Sequence, residues 1–324
     1  MSETAVKRKL LAKPSRTADK VFFAVARAAG YSSFIIIGLI LFFLSIRAWP
    51  AFVEQGPLEF AFGVGWDNTT DPPILHIGPM LWGSLLIAAI GTFIAVPMAI
   101  SIAYFIEFLA PTPVAKVATV IVDLLAAIPS VVLGLWGLGV FSPVGAQWAQ
   151  MLSETLSPFL PFLANDTGTF LRSPFIASIV VAVMIVPLIS SVTREMFSQV
   201  DKEIIKGALA LGGTRETVLR KVILPTSAGG ILGGVLLALG RAMGETVAIF
   251  FVLNLVFSDY NWFNLLEPQG GAIASLILAR FGEATPEEVE ALLAAGVVLF
   301  VITLFINAIA SYIVQKAQPW RKDL

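Results

Sequence analysis

Arg241 and Glu245 stand four residues apart in the stretch GRAMGET (240–246), between AGGILGGVLLAL and VAIFFVLNLVF. Both flanks are apolar, so two ionised groups sit where water is scarce. Charges at such depth are expensive and face a cavity or a partner rather than lipid. A planar guanidinium can donate two parallel hydrogen bonds to a tetrahedral oxyanion. A neighbouring carboxylate can hold that guanidinium while no anion is present. It can instead accept a hydrogen bond from a protonated oxyanion, which would separate hydrogen phosphate from sulfate. The plainer alternative is an intrahelical ion pair. With Arg before Glu this is the weaker orientation, worth at most about a few tenths of a kcal/mol on an exposed helix. So small a gain does not explain burying both charges. Arg241 and Glu245 are therefore read as lining an anion pathway. Gly240 and Gly244 bracket the arginine and would allow close helix packing.

The remaining chain must hold this pair at depth. Of its 324 residues, 57% are hydrophobic and 13% charged, far from the balance of a soluble domain. The net charge of −1 exerts no bulk pull on nucleic acid. Without cysteine there can be no disulfide, thiolate metal site or cysteine nucleophile. His76 is the single histidine, which argues against a histidine metal cluster or a catalytic triad. No Gly-rich phosphate loop followed by Lys-Ser/Thr occurs, so ATP hydrolysis, metal and cofactor are not expected in this chain. No cleavable signal peptide is expected, because the apolar run after the basic N-terminus is too long for one.

A spanning helix needs roughly 20 mainly apolar residues. Six stretches qualify: about 25–49, 80–107, 115–141, 174–198, 228–257 and 289–315. Pro97, Pro129 and Pro187 interrupt the second, third and fourth and invite kinks. Lys and Arg crowd the N-terminal tail, the connection from Arg194 to Lys221 and the C-terminus. Segment 50–77 has none, and 258–288 has only Arg280 among several acids. By the positive-inside rule both termini are cytoplasmic and 50–77, 142–172 and 258–288 face outward. The organisation expected is a basic tail (1–24), a six-span domain (25–317) with a cytoplasmic loop at 199–226, and a short tail (318–324). AQWAQMLSETL (146–156) suggests a short amphipathic helix on the outer surface, and GGAIASLILARFG (270–282) a re-entrant or interfacial segment. Asp123 reads as a helix-packing or interfacial carboxylate, Arg280 as an outer-mouth or surface charge, Arg47 as a snorkelling cation, and Trp49 and Trp320 as interfacial anchors.

The loop DKEIIKGALALGGTRETVLRKVILP (201–225) is patterned. Ile204, Ile205, Ala208 and Leu211 fall on one helical face, and Gly212-Gly213 breaks it. Thr214 can cap a second helix whose positive end suits Glu216. Val218, Leu219, Val222 and Ile223 continue an apolar face, and Pro225 helps to end it before the next span. Two short helices result, packed on their own chain or offered as a knob to a partner's groove.

Gly207 and Ala208, then Gly212, then Val222-x-Leu224-Pro225 resemble the EAA loop of ABC-importer permeases. In that family the loop is the coupling helix that docks on the ATP-hydrolysing subunit. The resemblance implies Lys206, Gly207, Ala208, Leu211, Gly212 and Thr214 as coupling residues. Lys206 stands where the family usually carries Glu, so an acidic group on the ATPase would have to complement it. LLAAIPS (124–130), WGLGVF (136–141), GRAMGET and LFVITLF (299–305) extend the likeness over about residues 20–317. Together they resemble the PstC-type permeases of bacterial phosphate ABC importers. In the sister permease the same Gly-Glu-Thr is typically followed by Ala-Pro. The resemblance implies an all-α polytopic protein of the bacterial plasma membrane with a MetI-like permease fold, N-in and C-in. It implies a second homologous permease, two ATP-binding cassette ATPase subunits carrying ATP and Mg, and an extracytoplasmic phosphate-binding protein. It also links Arg241 and Glu245 to phosphate movement. Two alternatives stay open: the same architecture for sulfate or molybdate, and a proton-coupled carrier using Glu245, for which the loop knob would be superfluous.

Overall fold

The computed structural model describes residues 16–262 and 264–317. The expected tails therefore lie outside the described residues over 1–15 and 318–324, as does the anchor Trp320. Among the described residues six helices are long and apolar enough to cross a membrane: Asp19–Gln55, Gly78–Leu109, Ser130–Leu156, Pro174–Ser198, Arg215–Met243 and Pro286–Tyr312.

The chain divides into two compact units, Met1–Arg47 and Ala48–Leu324. The described part of the first is helical and belongs to α1 (Arg16–Gln55). Its apolar side chains, such as Phe34, Leu39 and Phe42, are exposed, as suits a helix solvated by lipid. The Arg47 guanidinium folds back over the Phe43 ring at 5.9 Å.

The second unit is built on α3 (Gly78–Tyr104) and α7 (Pro174–Ser198). Ile87, Ala95 and Ala99 of the former pack in one core with Val180, Val181, Ile185 and Ile189 of the latter. Pro97 and Pro187 lie inside these helices, which continue past them. Each proline removes one donor, and the remaining backbone bonds persist because hydrocarbon offers no competing partner. A π-helical turn, Phe105–Leu109, extends α3. On the way in, α2 (Pro57–Phe62) leads to a small antiparallel pair, β1 (Trp66–Asp67) with β2 (Ile74–Leu75).

The third expected span is divided. α4 (Thr112–Ala126) stops, and α5 (Ser130–Trp136) starts after an extended Pro129. Proline disfavours helical backbone at the residue before it, so the chain breaks at Ile128. α5 then runs through a π turn, Gly137–Phe141, into α6 (Ser142–Leu156). The amphipathic outer helix expected at 146–156 is thus the second half of the third spanning helix. Its buried face is made of Gly145, Ala149 and Ser153, while Gln147, Gln150 and Glu154 are exposed.

The fifth expected span, 228–257, is also corrected at both ends. α8 (Lys202–Ala210) is separate, but α9 (Arg215–Val218) continues through a π turn, Leu219–Ile223, into α10 (Leu224–Met243). Pro225 does not separate loop from span. It sits beside a π turn, so its missing donor falls where the hydrogen-bond ladder passes from π to α register. After Met243 the helix stops, and α11 (Val247–Val252) begins anew. Segment 270–282 forms α12 (Ile273–Arg280), whose Ile273, Ala274, Ser275 and Leu276 are buried. α13 (Pro286–Ala317) completes the unit. A reciprocal pair opens it: Thr285 N–H donates to Glu288 Oε2 at 3.0 Å, and Glu288 N–H donates to Thr285 Oγ1 at 3.3 Å. Glu288 Oε1 also accepts from Trp66 Nε1 at 3.0 Å.

Candidate functional site

GRAMGET is a helix break. Gly244 ends α10, and Glu245 and Thr246 lead into α11. Side chains of the break itself meet part of its backbone hydrogen-bonding need, which water would meet elsewhere. Thr246 Oγ1 donates to Gly244 O at 3.1 Å. Glu245 Oε1 accepts the N–H of Ala248 at 3.2 Å, which meets one orphan donor of α11 and sets a negative group at its positive end. Glu245 is buried, 7% exposed.

Arg241 lies in the last turn of α10 and is exposed from this chain. No ion pair joins it to Glu245, and among the described residues it has no hydrogen-bond partner. The intrahelical pair considered from spacing is absent because the helix ends between the two residues. Gly240 and Gly244 are not tight packing positions within this chain. A Cβ on Gly240 would stand 3.7 Å from Asn307 Nδ2, and one on Gly244 would meet only its own helix at 3.6 Å or more. Close helix approach falls instead on Gly234, where a Cβ would stand 2.9 Å from Val192. A cavity of about 470 Å³ opens beside the break, lined by Gly244, Thr246, Ala274, Ile277, Phe281 and Leu299.

The two interrupted spans meet. A Cβ on Gly134 of α5 would stand 2.8 Å from Ala248 Cα, and one on Gly137 2.9 Å from Val252. The helix that restarts after Pro129 therefore lies along the helix that restarts after Thr246, in the same direction. Small residues at 134 and 137 permit this approach. Their i,i+3 spacing was visible in WGLGVF and the residues before it, but its partner was not.

The knob is locally complete. Asp201 caps α8 through the N–H of Glu203 at 2.8 Å, and Thr214 caps α9 through the N–H of Thr217 at 3.2 Å. Between them Gly212 N–H reaches Leu209 O at 3.0 Å and Gly213 N–H reaches Ala208 O at 3.1 Å. This is a Schellman closure, with Gly212 at φ 85. Ile205 and Ala208 pack towards Phe197, Val218 and Ile223. Ile204 and Leu211, expected on the same face, are exposed, Leu211 to 91%. A Cβ on Gly207 would meet open space. Lys206 reaches Glu203 at 2.9 Å.

The other candidates divide. Asp123 lies 3.7 Å from Arg194 and accepts from Ser191 at 3.4 Å, fastening α4 to α7. Arg280 lies over Phe257 at 5.7 Å. His76 Nδ1 is 3.0 Å from Val64 O. Three residues passed unnoticed in the sequence. Arg172, with φ 53, donates to Asn254 at 3.2 Å. Thr303 and Asn307 of α13 face α10 at Met243 and Gly240.

Residues 95–319 match the family of binding-protein-dependent transport system inner membrane components. A phosphate transport system permease protein PstC of Haemophilus influenzae is 37% identical over 288 residues, 88% of this chain and 89% of that one. That of Mesorhizobium japonicum is 33% identical over 304 residues, covering 92% and 90%. Among solved structures, a bacterial ABC transporter importing the polysaccharide alginate superposes with TM-score 0.52 at 16% identity, over 92% of this chain and 99% of that chain. An inward-facing MetNI methionine ABC transporter does so with TM-score 0.53 at 14%, over 74% and 94%. The fold is that of ABC-importer permeases, and the chain belongs to the binding-protein-dependent transport system inner membrane components, as a multi-pass inner-membrane protein of their PstC-type permease group.

Proposed function

We propose that this chain is the permease subunit of an ATP-driven phosphate importer and forms one wall of its pathway. The observation that carries this reading is Arg241, a membrane-depth cation with no partner among the described residues, beside a break whose carboxylate is already engaged. A second, homologous permease supplies the opposite wall and a further cation, because hydrogen phosphate carries up to two charges. The guanidinium grips phosphate oxygens through its fork. Glu245 holds the bend through Oε1, which leaves Oε2 to accept the phosphate proton. Release requires that the grip stay weak.

Two ATPase subunits, which carry ATP and Mg, dock on the knob through Lys206, Gly207, Ala208, Leu211, Gly212 and Thr214. Exposed Leu211 fills an apolar pocket of the ATPase. An extracytoplasmic phosphate-binding protein delivers the anion to the other side. Both termini and 199–226 are cytoplasmic, around a permease domain of 25–317. Single cysteines in the 199–226 loop should resist an impermeant reagent applied to intact spheroplasts, and labelling there would reverse the orientation.

The deciding experiment is uptake of labelled phosphate and sulfate by proteoliposomes holding the complete complex, with binding protein outside and ATP inside. ATP-dependent phosphate uptake is expected, with sulfate excluded. Preference for sulfate or molybdate would change the substrate, and uptake driven by a proton gradient without ATP would overturn the coupling.

A further inference from the structure

The end of α3 and its π turn stand against the knob, where Tyr104 and Phe108 join the cluster of Ile205, Val218 and Ile223. The packing there is incomplete. A cavity of about 230 Å³ remains, with Phe108, Ile205, Leu209, Val218 and Ile223 as its apolar lining and Tyr104 and Arg215 as its polar one. Apolar walls that face no partner atoms forfeit dispersion energy. Arg215 is exposed, and its guanidinium has no ion pair or hydrogen bond among the described residues. The half-buried Tyr104 hydroxyl has none either. Glu216, the acid next to Arg215, is engaged by Arg220 at 2.9 Å. Glu107, next to Phe108, is not part of the lining.

Helix length fixes the depth of this cavity. Gly78–Leu109 has 32 residues, which as helix span on the order of 48 Å. The hydrocarbon core is only about 30 Å thick, or about 40–45 Å with its headgroup layers. The end that carries Tyr104 and Phe108 therefore reaches headgroup level, and Arg215 lines the same cavity. We propose that the cavity binds an anionic phospholipid: Arg215 and the Tyr104 hydroxyl take its phosphate, and the end of an acyl chain fills the space beside Phe108, Leu209 and Val218. A guanidinium suits phosphate oxygens, and basic groups at this level attract anionic headgroups. Leu209 belongs to α8, Val218 to α9 and Phe108 to the extension of α3, so one lipid fastens both helices of the knob to the spanning core. The inference does not draw on the pathway reading of Arg241.

The test places the complete complex in nanodiscs of phosphatidylglycerol and phosphatidylcholine with identical acyl chains. Lipid retained after transfer to detergent is counted by native mass spectrometry, and hydrogen exchange is followed over residues 202–218. The wild type should retain phosphatidylglycerol over phosphatidylcholine by about fivefold, and its 202–218 amides should exchange more slowly in phosphatidylglycerol. Arg215→Gln removes the cation and should abolish both differences. Leu209→Trp fills the apolar space and should lower retention of both lipids. Tyr104→Phe should weaken the preference by less than Arg215→Gln does. An undiminished preference in Arg215→Gln overturns the proposal, as does undiminished retention in Leu209→Trp. ATPase binding is measured alongside. If Arg215→Gln releases the ATPase but retains phosphatidylglycerol as the wild type does, the guanidinium belongs to that protein interface and the lipid site falls. Should Leu209→Trp fail to assemble, Arg215→Gln alone decides by the same criterion.

Discussion

In the knob, Lys206 meets Glu203, Arg220 meets Glu216 at 2.9 Å, and Asp201 and Thr214 cap their own helices. At the break after α10, Arg241 has no acceptor and Asn307 Oδ1 no donor among the described residues. The knob closes both helix caps and two ion pairs locally, and Leu211 and Gly207 are exposed on it. The break leaves charge and hydrogen-bonding capacity unspent. A surface that another protein must recognise benefits from being rigid before contact. A site that an ion must enter and leave benefits from groups that the protein does not satisfy permanently.

That contrast can be broken most decisively at Arg241. Arg241→Ala should lower phosphate uptake by about a hundredfold or more, with expression and ATPase assembly unchanged. Full transport would reduce the residue to a lipid- or partner-facing charge. Arg241→Lys keeps charge without the fork and should lose about tenfold. Next comes Gly212→Val. Its φ of 85 disfavours a β-branched residue, at a cost of about 1–2 kcal/mol. ATP hydrolysis should then uncouple from uptake, or the ATPase should dissociate, and unchanged assembly and transport would count against the docking role.

Glu245 sharpens the comparison because it serves both local structure and chemistry. Glu245→Ala removes the acceptor for Ala248 and should destabilise by about 1 kcal/mol. Glu245→Gln keeps that acceptor and should preserve stability while reducing discrimination against sulfate. Equal Tm losses in both variants would show that the negative charge, not the cap, holds the bend. The smallest effect belongs to Lys206, whose pair with Glu203 is exposed. Lys206→Ala should change stability by less than about 0.5 kcal/mol. Weaker ATPase binding at unchanged stability would assign the lysine to the partner rather than to Glu203.

The knob was legible in the sequence because its signals are local. Gly212-Gly213, Thr214 and the alternation of Ile205 and Ala208 state a helix, a turn and a helix within 25 residues. Even there, the split between packed Ile205 and exposed Leu211 depends on the neighbouring Phe197 and Val218. The spans are legible in hydropathy, but the break after Met243 is not. Hydropathy does not register a change of backbone direction when both halves are apolar, so 228–257 reads as continuous. Pro129 marked the second break, although Pro97 and Pro187, chemically identical signals, do not break their helices. The arginine and glutamate were found, but their relation was not, because a four-residue spacing means proximity only while the helix persists.

The passage from α9 through the π turn into α10 makes Arg215–Met243 one uninterrupted helical shaft. At about 1.5 Å per residue it is on the order of 40 Å long. One end carries the knob's second helix, and the other carries Arg241. A push or twist applied at Val218 is therefore delivered to the guanidinium without crossing a flexible joint. The π turn at Leu219–Ile223 sets the angle between the two ends of this shaft. Removing its one extra residue per turn would rotate everything beyond it by about 100°.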